Sequence, residues 1–310
     1  MVSTDEEVEE AIRLIRHGTT IGLSLVDKER PSGEGLLFAL AKHRQEVGHG
    51  KWRDEDFVFQ FEALRGLLGV GAAQISGLAT LLHTKTGLLL HPSMTLVRSL
   101  AEACGVVVWM LEPLIVPVDE DGELARSEWV QSVSPVPSRF QLVMLNAIAD
   151  REHRYRAERK DLEADKALLR LQEQRDRIAD ASPKANTTLE GKRTGWTIDG
   201  QRLPKKTDLA IKATEYSYGQ QHVGTGMNPY PMLSGYAHAS LDVVFAYGTS
   251  QEKPALSTLY QALPEETKLI SSLGLRLYSV MLDVTINAIG ESRSEFESWD
   301  REVEAYVVGA

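Results

Sequence analysis

The sequence predicts an all-α protein: a multi-helix bundle with one long charged helix and a small β-hairpin insertion. Apolar residues recur at helical spacing over most of the chain, while the alternation of a strand is nearly absent. Caps and breakers fall at the ends of the periodic segments. Residues 150 to 180 interleave nine basic and nine acidic residues around a narrow apolar stripe, the pattern of a projecting helix.

The first helix starts after Ser3 or Thr4, carries acidic residues in its first turn and is expected to end at Gly18. A second runs through Leu36, Leu37, Leu40 and Ala41. A third spans Glu55 to about Thr84, with Phe61, Leu64, Leu68, Ile75, Leu78 and Leu82 on one side. The fourth begins near His91-Pro92, since proline suits a first helical position, and stops before Pro113. The long charged helix covers 139–181, with Tyr155, Leu162, Leu169, Leu171 and Ile178 as its stripe. Ser182 to Thr188 reads as a polar break. Trp196 to Gln201 reads as a small hairpin with an Asp-Gly turn. Thr207 caps a further helix, and Asn228-Pro229 starts another that carries Ser234, His238 and Asp242. One or two more helices follow between Leu256 and Val308, broken near Pro264 and Gly290. These pieces are expected to form one helical domain, 1–310. Residues 1–88 are its N-terminal helices, 89–250 its core helices and 251–310 its C-terminal helices.

Composition limits the function classes. The 310 residues are 43% hydrophobic and 25% charged, which is ordinary for a globular protein. A net charge of −10 excludes a global basic footprint, so a nucleic-acid contact would need a local patch. The single cysteine, Cys104, forms no disulfide within the chain and points to a reducing, cytoplasmic setting. The acidic start does not read as a secretory signal, and no uninterrupted apolar run reaches a membrane span's length, so no membrane partner is expected. Phosphate-loop and dinucleotide fingerprints are absent.

Two helices place polar groups in apolar company. His91, Thr95, Arg98 and Glu102 follow steps of four, three and four and share one face. Arg98 and Glu102 can pair, and further partners are expected from another helix because a buried lone charge is costly. Ser234, His238 and Asp242 are successive i, i+4 neighbours, and Asp242 can orient the imidazole. A regular helix supplies neither the exposed nucleophile nor the oxyanion hole of a serine hydrolase. The expectation is that the two helices face each other. His238, Arg98 and Glu102 are then the candidate catalytic residues, with His91, Ser234 and Asp242 for binding. The same groups could equally be a structural clamp.

Glu102, His91 and His238 do not repeat the Glu/His spacing of di-iron bundles, so no metal and no cofactor are expected. Asp283, Asn287, Glu291 and Glu295 step by four and faintly resemble the magnesium-binding faces of helical prenyl-diphosphate enzymes. A solvated face is the simpler reading.

Across residues 88 to 248 the order of pieces resembles a group of uncharacterised actinobacterial helical proteins. The residues that carry it are His91-Pro92, Arg98, Glu102, Trp109-Met110-Leu111-Glu112-Pro113, the charged helix, then Leu233-Ser234-Gly235-Tyr236-Ala237-His238. That group resembles in turn the HEPN-like helical domains of toxin and abortive-infection systems. The resemblance carries over only His238 by position, with an acid/base role; Tyr236, in the same stretch, is a further binding candidate. The arginine that HEPN ribonucleases place shortly before this histidine is absent, since positions 232 to 234 are Met, Leu and Ser.

Three functions follow as expectations. The first is a helical partner-binding or regulatory protein in stress or defence, with a polar cluster in its core. The second is an RNA-acting HEPN-like module using His238 and Arg98. The third is a small-molecule enzyme with an interhelical pocket. The stripe of the charged helix also predicts a homodimer through residues 139–181.

Overall fold

The computed structural model describes residues 5–28, 35–46, 54–83, 90–114, 135–158, 162–180, 185–190, 193–217, 233 and 264–309. Its described helices, in chain order, are α1 (Asp5–Val26), α2 (Leu36–Glu46), α3 (Asp54–Leu82), α4 (Leu90–Leu111), α5 (Pro135–Glu158), α6 (Leu162–Asp180), α7 (Lys206–Ser217), α8 (Pro264–Ile289) and α9 (Ser294–Val308). A 3-10 turn, Glu112–Leu114, follows α4. The expected all-α bundle is present.

Helix α4 lies at the centre. It packs on α3, α5, α7 and α8, and α1 closes the bundle against α3, α8 and α9. The apolar side of α4, with Met94, Val97, Leu100, Ala101, Cys104, Val107, Val108 and Leu111, is fully or almost fully buried. Gly105 permits a close backbone approach: a Cβ there would lie 2.0 Å from the backbone oxygen of Leu209 in α7.

Helix α1 does not stop at Gly18. It continues to Val26 because Gly18 and Gly22 are seats for aromatic rings. A Cβ on Gly18 would lie 2.4 Å from the Trp299 indole, and one on Gly22 would lie 1.9 Å from the Tyr278 hydroxyl oxygen. Glycine inside a helix costs about 1 kcal/mol relative to alanine. Burying Trp299 and Tyr278, both 0% exposed, offsets that cost.

The expected long helix is instead two. α5 and α6 fold back on each other as a helical hairpin, tied by Arg175 Nη1 to Glu152 Oε1 at 3.0 Å. Twenty-three residues of straight helix would separate these groups by roughly 35 Å. The stripe divides accordingly. Leu168 and Leu171 turn inward and Ile178 packs against the core, whereas Tyr155 and Leu169 are 38% and 59% exposed. Glu152 is the most buried carboxylate described, and it pays for burial with charge-assisted bonds from Arg175.

The expected hairpin is present, with one strand more than the sequence suggested. β1 (Ala185–Glu190) pairs antiparallel with β2 (Arg193–Ile198), which pairs with β3 (Gln201–Arg202). Asp199 and Gly200 both have positive φ, 52° and 75°, as a primed two-residue turn demands. The polar break thus ends in β1. Trp196 and Ile198, two residues apart, face inward on the α5 side of the sheet.

Among the described residues three helical stretches are long and apolar enough, by length and composition, to cross a membrane: Phe61–Leu82, Leu90–Leu114 and Glu265–Ile289. Counting uninterrupted apolar residues missed them, because Glu62, Arg65, Arg98, Glu102, Arg276 and Asp283 interrupt the runs. Within the bundle 67% of the α4 window and 78% of the α8 window are buried, so core packing accounts for their apolarity. The α3 window is 33% buried.

Candidate functional site

The Arg98/Glu102 pair is formed. Arg98 Nε donates to Glu102 Oε1 at 3.0 Å. The side chains are 19% and 20% exposed, so the pair sits at the rim of α4 rather than sealed in the core. Its neighbours on that face agree: His91 is half-buried and Thr95 exposed, the latter donating to the His91 carbonyl at 2.9 Å. The described interhelical contact of Glu102 is with the start of α7, where Lys206 Nζ lies 4.0 Å from Oε2. Lys206 is 78% exposed, so this is a loose surface contact between α4 and the start of α7.

The other half of the expected site, Ser234, Tyr236, His238 and Asp242, lies outside the described residues. Only Leu233 of that segment is described, and it is fully buried.

A second polar cluster closes the end of α4. The Arg139 guanidinium lies over the Trp109 ring, 5.1 Å from its centroid, and donates to the Trp109 carbonyl. It also reaches Glu112 at 3.3 Å, and Lys212 Nζ holds the other Glu112 oxygen at 2.6 Å. A cation on the last carbonyls is the favourable partner of a helix C-terminus. These contacts lock α4, α5 and α7 together.

The acidic array does not share one helix: Asp283 and Asn287 lie on α8, Glu291 in the turn that follows Gly290 and Glu295 in the first turn of α9, and each has a polar neighbour. Arg293 Nη2 donates to Asp283 at 2.7 Å and a second guanidinium nitrogen to Asn287. Lys28 holds Glu291, and His17 lies 3.7 Å from Glu295. Among the described residues no three His, Cys, Asp or Glu side chains are grouped to hold a metal ion.

The sequence reading missed a groove along the α5–α6 hairpin. It encloses about 510 Å³ and is lined by Arg151, Arg154 and Tyr155 of α5 and by Ala167, Arg170, Leu171 and Gln174 of α6. The α5 members are spaced i, i+3, i+4 and the α6 members i, i+3, i+4, i+7, so each helix presents one continuous stripe. All three arginines are exposed, and none has an ion-pair partner among the described residues. Among the described residues no carboxylate lines the groove. The nearby buried Glu152 is engaged by Arg175, with Arg156 3.7 Å away. A balanced charge count over 150–180 concealed this asymmetry, which only the helical spacing of the arginines could have shown.

Comparison with family models, with curated proteins and with solved structures finds no match.

Proposed function

We propose that this chain is a helical partner-binding protein whose contact surface is the α5–α6 hairpin. The observation that carries the reading is the groove of Arg151, Arg154 and Arg170, cations without ion-pair partners among the described residues of an acidic chain. Arginines in groups serve recognition of carboxylate and phosphate through paired N–H donors. The Arg98/Glu102 pair fits a structural role, since the two groups engage each other at the rim of α4.

The test is the native size of the full chain in extract of its own cells. The wild type elutes well above its 34.4 kDa monomer mass. The double variant Arg151→Glu/Arg170→Glu, folded with unchanged thermal midpoint, elutes at lower mass. Identical elution of the two proteins would count against the reading.

A second copy of the chain is the alternative partner, through a different face of the hairpin. Leu169, two residues from both Ala167 and Leu171, lies on the opposite side of α6 from the groove and is 59% exposed. Sedimentation of the purified chain separates the cases: a Leu169→Glu-sensitive dimer supports self-association.

A further inference from the structure

We infer that the hairpin groove binds single-stranded nucleic acid, with its arginines on phosphates and Tyr155 under a base. The inference rests on the hairpin being the contact surface and names the occupant.

The chemistry is local. Three guanidinium groups surround one groove, two on α5 and one on α6, and its described lining holds no carboxylate. Each guanidinium can bind a phosphate by two parallel N–H donors. A strand laid along the groove would meet cations from both walls. The floor is apolar, made by Leu171 and Ala167, and Gln174 supplies an amide able both to donate and to accept.

Tyr155 distinguishes nucleic acid from an acidic peptide. A phenol ring left 38% exposed, between cations and beside an apolar floor, is a stacking platform for an unpaired base. A carboxylate chain gains nothing from it. A duplex keeps its base faces stacked inside, so it cannot use the ring. The volume, about 510 Å³, is in the range of small-ligand sites and suits a short stretch of strand rather than a helix of nucleic acid. The negative remainder of the chain repels polyanions elsewhere and confines contact to this groove.

The experiment titrates the full chain with a fluorescein-labelled 12-nucleotide single strand, RNA and DNA in parallel, between 50 and 200 mM salt. A duplex of equal length and a hexaglutamate peptide are the comparison probes. Three phosphate contacts predict a log–log salt slope of about −2 for a single strand, and each Arg→Gln change at 151, 154 or 170 should reduce it by about 0.7. Tyr155→Leu should weaken the single strand about tenfold and leave the slope unchanged. The duplex and the peptide should bind more weakly than the single strand. Peptide binding equal to or tighter than the strand's overturns the inference while keeping the hairpin as a contact surface. A salt slope indifferent to the arginine changes also overturns it. No binding of either probe by the wild-type chain overturns the inference, and together with an unaltered native size for Arg151→Glu/Arg170→Glu it overturns the parent reading as well.

Discussion

The indole N–H of Trp299 donates to the backbone carbonyl oxygen of Leu14 at 2.8 Å, joining the last helix to the first across 285 positions of sequence. The ring then lies over Gly18, with Tyr278 edge-on at a centroid distance of 6.4 Å. One buried polar atom is thereby satisfied and three helices, α1, α8 and α9, share one aromatic contact.

Glycines in this protein divide by what surrounds them. Gly18→Ala drives a methyl group into the Trp299 ring, and Gly105→Ala drives one into the Leu209 backbone, which cannot swing aside. Each is expected to destabilise by about 1–3 kcal/mol, Gly105→Ala the more, despite alanine's better helix propensity. Gly66 on α3 has open space around its missing Cβ. Gly66→Ala is therefore expected to stabilise by about 1 kcal/mol. Urea midpoints of the three variants check the order, and a stabilising Gly105→Ala would refute the close α4–α7 packing.

The ion pair that matters most for stability is expected to be Glu152–Arg175, not Arg98–Glu102. Glu152 has a side chain 9% exposed and accepts at 3.0 and 3.2 Å. Glu152→Ala leaves Arg175 without that charged partner and is expected to cost about 2–3 kcal/mol. Glu102→Ala at the rim of α4 is expected to cost about 1 kcal/mol or less. Equal thermal midpoints for the two variants would contradict this ranking.

Stability should fall in alkali before it falls for other reasons. Burial pushes the Cys104 thiol and the Tyr278 and Tyr306 phenols above their ordinary values; for Tyr306 the Ser271 hydrogen bond opposes the shift in part. A raised folded-state value means the neutral form is the one the fold holds. That stability is complete below the unfolded values, about 8.5 for cysteine and about 10 for tyrosine, and is lost as pH rises past them. Urea midpoints measured from pH 7 to 11 should be level at first and decline above about pH 9. Tyr278→Phe should make the decline shallower, and its neutral-pH stability should hold, since the Tyr278 hydroxyl has no hydrogen-bond partner among the described residues. In the same series Cys104 should react with a thiol reagent only as the protein unfolds. A flat profile, or a thiol reactive in the native state, would show that these groups are solvated.

Local physics made much of this fold legible in the sequence. Helical periodicity placed α3 and α4 within a few residues, because a buried stripe repeats at the helix period whatever it packs against, while the Thr207 cap marked α7 and the breakers Pro264 and Gly290 bracket α8. Asp199-Gly200 marked its turn because few residues accept two successive positive φ angles. Arg98 and Glu102 paired as their i, i+4 spacing implies. What depended on distant neighbours was decided by tertiary structure. Gly18 reads as a stop until Trp299 arrives to fill its place. Residues 139–181 read as one rod, since nothing in the charge pattern states that Arg175 returns to Glu152. The half-burial of Arg98 and Glu102 follows from how α7 crosses α4 beside Gly105, a contact between residues a hundred positions apart. The groove of Arg151, Arg154, Arg170 and Tyr155 exists only because two helices fold together, which gathers like charges that the linear sequence keeps balanced.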